Sequence, residues 1–274
     1  IVVKASVTYA LNGGSGTLPS EANHAAGETF ALAASTGLTK NGYTFSKWND
    51  GTTDYSAGAT YTMGSANTTL TAVWAAVNYT VLYDDNVAGE TISVPTDAGT
   101  YNIGQTVTIS GTEPTRTGYA FAGWTTDSGN TGTVYKTVTN ASFTVSSSNI
   151  TFYAKWSLNS YSITFNYNYA GGPSNTVSTM NHFVDALAVG NKPSNPTRTG
   201  YTFAGWSETS SGSVITTFTV VGAKTFYAKW AAVSYSITYN YNYVGSPSSS
   251  VVSLEYASDA LADGNKPTNP TRTG

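Results

Sequence analysis

Gly200-Tyr201-Thr202-Phe203-Ala204-Gly205-Trp206 decides how the chain is read, because it occurs three times. It returns as Gly118-Tyr119-Ala120-Phe121-Ala122-Gly123-Trp124 and, more loosely, as Gly42-Tyr43-Thr44-Phe45-Ser46-Lys47-Trp48. Downstream of each copy stands a second block: Thr69-Leu70-Thr71-Ala72-Val73-Trp74, Thr151-Phe152-Tyr153-Ala154-Lys155-Trp156 and Thr225-Phe226-Tyr227-Ala228-Lys229-Trp230. All six tryptophans belong to these two blocks, with 82 residues from Trp74 to Trp156 and 74 from Trp156 to Trp230. Self-similarity at such a period is the mark of a tandem architecture in which each repeat is one structural unit.

Each unit opens with an alternating segment. Tyr161-Ser162-Ile163-Thr164-Phe165-Asn166-Tyr167-Asn168-Tyr169 matches Tyr235-Ser236-Ile237-Thr238-Tyr239-Asn240-Tyr241-Asn242-Tyr243, and residues 159–200 share 27 identities in 42 positions with residues 233–274. The expected units are therefore 1–76, 77–158, 159–232 and a partial fourth, 233–274. Ile1-Val2-Val3-Lys4 takes the place of a linker, and Gly274 stands where the next Tyr-x-Phe block should begin, so a fragment of a longer array is expected.

Side chains alternate faces along a strand, so a period of two reads as a half-buried strand. Tyr161, Ile163, Phe165, Tyr167 and Tyr169 share one face of the opening strand. In the Gly-Tyr block this parity places Tyr201 and Phe203 together and Trp206 opposite. In the closing block Phe226, Ala228 and Trp230 align, with Tyr227 and Lys229 on the other side. Threonine and aromatic residues suit a pleated, half-buried surface. Pro-Thr-Arg-Thr-Gly, at 114–118, 196–200 and 270–274, reads as a tight entry into the next strand, its glycine supplying a φ that other residues resist. The helix-like stretches are Phe183–Val189 and Ala257–Asp263, too short to stand without tertiary packing.

Composition narrows the function classes. Aromatic residues make up 13% of the chain, enough to build cores and exclude disorder. A net charge of −3, evenly spread, leaves no basic footprint for nucleic acid or acidic lipid. Without cysteine there is neither a disulfide framework nor a thiolate metal site. No apolar run is long enough to insert into a membrane, and residues 1–4 do not read as a signal peptide.

The order of opening strand, Pro-Thr-Arg-Thr-Gly-Tyr-x-Phe-x-Gly-Trp and Thr-Phe-Tyr-Ala-Lys-Trp resembles the Listeria–Bacteroides repeat, or internalin B-repeat. The resemblance spans three full units and one partial unit. The first departs most, with Thr39-Lys40-Asn41-Gly42 at the turn and Val73 in place of the lysine. It implies small ubiquitin-like β-grasp modules in tandem, in secreted or cell-surface bacterial proteins, and brings no catalytic residues with it.

The spacers Ala75-Ala76-Val77-Asn78, Ser157-Leu158-Asn159-Ser160 and Ala231-Ala232-Val233-Ser234 all have four residues and lack glycine and proline. Flexible linkers are longer and rich in Gly and Ser. A mainly β array of units held at a repeated angle is expected, forming an elongated rod of about 100 Å or more.

Candidate chemistry is thin. His24 and His182 each stand 18 residues before the glycine of their Gly-Tyr block, where Thr100 and Tyr256 stand in the other units. One histidine per unit makes neither a ligand set nor a base with its orienter, so packed rings are expected. Asp50 with Asp54, and Asp84-Asp85-Asn86, carry oxygen ligands of the calcium type, but neither cluster recurs, and turns favour Asp and Asn for backbone reasons. Tyr169, Tyr243, Tyr153 and Tyr227 are the rings that could face a glycan. Lys155 and Lys229 could enter isopeptide crosslinks, although no acid partner is identifiable. No catalytic, cofactor or metal residue is assigned, and no enzyme is expected.

Three functional readings follow. The first is a stalk or fibre segment outside the cell, whose partners are neighbouring repeats or copies of itself in a head-to-tail filament. The second is an adhesion module for a host or cell-surface glycan or protein. The third is the accessory region of a secreted enzyme whose catalytic domain lies elsewhere.

Overall fold

A computed structural model describes residues 2–136, 142–243, 245–246 and 248–269, all in strands, turns and loops. The last Pro-Thr-Arg-Thr-Gly, at 270–274, lies outside the described residues, as does Ile1. The chain divides into two units, Ile1–Arg116 with Phe121–Ser157, and Thr117–Ala120 with Leu158–Gly274.

The third repeat displays the sheet in its fullest form. Its opening strand, Ser160–Asn166, pairs parallel with the closing strand, Lys224–Ala232, through Ile163↔Lys224 to Asn166↔Tyr227. Thr176–Asn181 runs antiparallel along the free side of the opening strand. Tyr201–Ser207 runs antiparallel along the far side of the closing strand. The central pair is thus parallel and both flanks are antiparallel. In the first repeat the opening strand Val7–Ala10 is again parallel to the closing strand Thr68–Ala76, with Tyr43–Asn49 antiparallel beyond it. In the second, Tyr79–Asp84 is parallel to Ile150–Leu158, and Tyr119–Thr125 completes that side. In the fourth, the opening strand Ser234–Tyr239 pairs antiparallel with Ser250–Glu255. These repeated small sheets bear out the mainly β reading.

The period-two alternation of the opening and closing strands holds. Ile163 and Phe165 are buried between more exposed neighbours, as are Phe226 and Ala228. The parity read for the Gly-Tyr block fails. The pairing register shifts between Phe203 and Gly205, and likewise between Phe45 and Lys47. Such a β-bulge inserts one unpaired residue and turns the side chains after it to the other face. Phe203 and Trp206 therefore share the core, edge to face at 5.3 Å. The glycine of Tyr-x-Phe-x-Gly-Trp has φ +142° at Gly205.

Each of the first three repeats has its own core, built on the tryptophan of its Gly-Tyr block. Trp48 packs among Val7, Tyr9 and Leu70, Trp124 among Val81, Val107 and Phe152, and Trp206 among Ile163, Phe165 and Phe226. The closing tryptophans are different: Trp74, Trp156 and Trp230 lie at the core margin and donate their indole N–H to backbone carbonyls. The acceptors are Leu11 at 2.8 Å, Asp85 at 2.9 Å and Tyr167 at 2.8 Å.

The helix-like stretches are turns, and no helix occurs among the described residues. Phe183 and Ala257 adopt left-handed φ of 69° and 63°, which stops a right-handed helix at its first residue. Asp185 then forms a bridge to Thr219. Its Oδ1 accepts the amides of Phe218 (2.9 Å) and Leu187 (3.0 Å), and those two bonds hold its carboxyl below the usual carboxylate range. Leu187 and Ala186 are buried, so the segment packs as the sequence requires while its backbone does not coil.

Candidate functional site: the turn before the Gly-Tyr strand

The Pro-Thr-Arg-Thr-Gly turn is tight, as expected. Tyr201 N donates to Arg198 O at 3.1 Å, and Tyr43 N to Lys40 O at 3.0 Å in the first repeat. The turn glycines Gly42, Gly118 and Gly200 have φ of 77°, 80° and 76°. A left-handed residue costs a side-chain-bearing amino acid about 1–2 kcal/mol. A second constraint acts at the same atom. A Cβ on Gly200 would lie 2.1 Å from Tyr256, one on Gly118 2.7 Å from His182 and 2.9 Å from Phe183, and one on Gly42 2.8 Å from Ile103.

Those contacts are made by the repeat that follows. The carbonyls of Gly42, Gly118 and Gly200 accept the amides of Val77, Asn159 and Val233, each at 2.9 Å. The linker carbonyls of Asn159 and Val233 in turn accept the amides of His182 and Tyr256, each at 2.8 Å. At the Gly118 and Gly200 junctions the same exchange therefore joins turn glycine, linker and the residue at the histidine position of the next repeat, whereas Val77 O accepts the Asn102 side-chain amide at 2.9 Å.

Beside the turn of the third repeat lies an open groove of about 1020 Å³, walled by Tyr169, Tyr201, Tyr256 and the threonines around Arg198. The Arg198 guanidinium sits 3.7 Å from the Tyr201 ring centre and 4.9 Å from that of Tyr169, with Trp230 at 5.9 Å. Cation–π contacts of this kind contribute about 0.5–2 kcal/mol each. The first repeat has a smaller groove, about 640 Å³, with Lys40 4.8 Å from Tyr43 and its Nζ donating to Asn12 O at 3.1 Å. In the second repeat, Arg116 instead donates to Glu90, at 2.9 Å from Nη2 and 3.3 Å from Nε.

The histidines are packed rings. His24 stacks on Phe30 at 4.0 Å and lies between Glu21 (3.2 Å) and Glu28 (3.1 Å). The Glu28 carboxylate, with Glu21, holds the imidazole above its usual value against the opposing effect of burial. His182 meets Phe183 edge to face at 4.1 Å. The acidic pairs cap turns. Burial would raise the Asp50 carboxyl, but bonds from the Thr53 and Thr52 amides, the Thr52 hydroxyl and the Tyr55 hydroxyl outweigh it and hold the group at about 2. Asp54 engages Lys47 and Asn49. Asp84 accepts from Asn86 N, and Asp85 from Val87 N and Ile92 N. No group of three His, Asp or Glu residues among the described residues is arranged to hold a metal ion.

Lys155 and Lys229 reach backbone carbonyls, Asn130 O at 3.0 Å and Ser210 O at 3.4 Å, and neither forms an ion pair among those found in the described residues. Tyr153 and Tyr227 are half-buried. Tyr169 stands edge-on to Trp230 at 5.5 Å, under Arg198. Tyr243 is also half-buried.

Sequence reasoning missed one repeated residue. Asn12, Asn86, Asn168 and Asn242 all take left-handed φ, between 50° and 59°, just past the opening strand. The side-chain amides of the first three hook the carbonyls of Ala72, Ala154 and Ala228 in the closing strand, at 3.0, 3.3 and 3.1 Å. Asparagine tolerates this conformation and still carries two donors. The signal was present: these four recur at the two spacings of the closing tryptophans.

A family model, the Listeria-Bacteroides repeat domain, matches residues 6–73, 79–155 and 161–229. A protein of Evansella cellulosilytica provisionally named a Gly-rich membrane protein is 31% identical over 247 residues, covering 86% of this chain and 26% of its own length. A second from the same organism, provisionally named a membrane protein, is 25% identical over 244 residues, covering 86% of this chain and 33% of its own. The chain thus spans between a quarter and a third of these relatives. Among solved structures, domains 3-4 of the Streptococcal High Identity Repeats in Tandem of a cell surface protein align over 57% of this chain and 98% of theirs, at 14% identity and a TM-score of 0.23. The chain belongs to the Listeria-Bacteroides repeat domain family.

Proposed function

We propose that the chain is a non-catalytic structural segment of an extracellular bacterial surface protein, a stalk or fibre region built of tandem repeats. One observation carries this reading: the exchange between turn glycine, linker amide and following repeat occurs at Gly42, Gly118 and Gly200 with the same 2.9 Å bond. A contact reproduced at successive linkers is what a tandem structural array calls for. The linkers of constant length support it, as does the use of the candidate histidines and carboxylates in packing and turns. The β-grasp reading of the module comes from the family resemblance, and a central parallel pair with antiparallel flanks supports it. The relatives are named as membrane proteins, which favours the cell envelope. No helix among the described residues is long and apolar enough to cross a membrane.

Immunogold electron microscopy of the source cells, with an antibody to this chain, tests the reading. Label outside the envelope at a constant distance is the stalk result, and periodic label along filaments is the fibre result. Label confined to the cell interior refutes both. A second reading, adhesion to a glycan or receptor, draws on one feature, the cationic and aromatic groove beside Gly200.

A further inference from the structure

We propose that the groove beside Gly200 binds an acidic glycan, an oligosaccharide carrying sugar carboxylates of the uronic-acid type; this rests on the adhesion reading and names its ligand class. Its walls hold one charge, Arg198, and no acidic side chain, within a chain of net charge −3. Stacking on Tyr201 occupies the face of the guanidinium and leaves its edge, the part that receives a carboxylate through two parallel hydrogen bonds. No carboxylate among the described residues lies within ion-pair distance of Arg198, whereas Arg116 at the same place in the second repeat has Glu90. One turn is neutralised from within and the other is not, so the anion that fits Arg198 comes from outside.

The rest of the wall selects the body of the ligand. Tyr256 is 39% exposed, and its ring can stack on the apolar C–H face of a pyranose. Asn195, Thr197, Thr199 and Thr202 offer amide and hydroxyl groups suited to sugar hydroxyls. A second hollow, about 450 Å³, shares Tyr169, Asn195 and Thr197 with the first, so the surface continues for more than one sugar ring. The wall has no deep aliphatic pocket of the kind that anchors an acidic peptide.

The test is calorimetric titration of the whole chain with tetragalacturonate, a neutral galactose tetrasaccharide and a poly-glutamate peptide. Tetragalacturonate is expected to bind at least tenfold tighter than the other two and to weaken as salt rises. Arg198→Gln should lower that affinity at least tenfold, Arg198→Lys by less, and Arg116→Gln not at all. The salt and ligand comparisons on the unaltered chain stand even if Arg198→Gln unfolds. Equal binding of the neutral sugar would overturn the acidic class and keep adhesion, and preference for poly-glutamate would overturn the glycan. Absence of binding to all three would overturn this inference and leave the adhesion reading to ligands of other classes and the stalk reading to the microscopy.

Discussion

Gly200→Ala separates two effects that meet at one atom, and Gly171→Ala supplies the reference. Both glycines lie in the third repeat with similar φ, 76° and 71°. A Cβ at Gly171 has nothing within 4 Å, while one at Gly200 falls 2.1 Å from the Tyr256 ring. Gly171→Ala therefore tests the left-handed backbone alone, about 1–2 kcal/mol. Gly200→Ala adds the displacement of Tyr256, and overpacking costs about 1–3 kcal/mol. Tyr256 is partly exposed and can swing aside, so the low end applies and the sum is about 2–3 kcal/mol. Hydrogen exchange is the assay, because repeat arrays do not unfold as one two-state unit. Val233 N, which donates to Gly200 O at 2.9 Å, and Tyr256 N, which donates to Val233 O at 2.8 Å, report the junction directly. In Gly200→Ala both amides should exchange tenfold or more faster, with Ile163 and Phe226 in the core less affected. Gly171→Ala should leave Val233 and Tyr256 at the unaltered rate. Equal acceleration at Val233 in both variants would refute the close-approach argument and reduce the junction to backbone strain.

The asparagine hook makes a similar distinction: Asn168→Gly keeps the φ of 59° and removes the bonds to Ala228 O and Ser210 O, at about 1–3 kcal/mol for the pair. Asn168→Ala should be about 1 kcal/mol worse again in hydrogen exchange at the third-repeat core amides of Ile163 and Phe226, and an alanine no worse than the glycine would sink the conformational part. The first repeat should show a pH optimum set by His24 and Glu28. His24 is raised above 6.5, so its contribution is complete below that value and fades as pH rises through the raised folded value; Glu28 is lowered below 4.5, so its contribution is complete above that value and fades on acidification. Thermal unfolding across pH should peak between about 4.5 and 6.5 for this component and flatten in His24→Gln, and an unchanged profile in that variant would refute the pairing.

What the sequence determined by itself is what depends on near neighbours along the chain. Period-two alternation identifies Ile163, Phe165, Phe226 and Ala228 as core, since adjacent side chains in a strand must point to opposite faces. The recurrence of Gly-Tyr and closing blocks delimits the repeat, and the turn glycine announces a left-handed φ. Tertiary structure decided whatever depends on a partner strand or a distant side chain. The bulge that brings Phe203 and Trp206 to one face exists only against Lys229 and Trp230 of the closing strand. Phe183–Val189 became a turn because Asp185 caps the amide of Phe218, 33 residues away. Arg116 and Arg198 occupy identical Pro-Thr-Arg-Thr-Gly turns. One meets Glu90, 26 residues earlier, and the other meets three aromatic rings, because side-chain partners are chosen by the folding of the loops around the sheet.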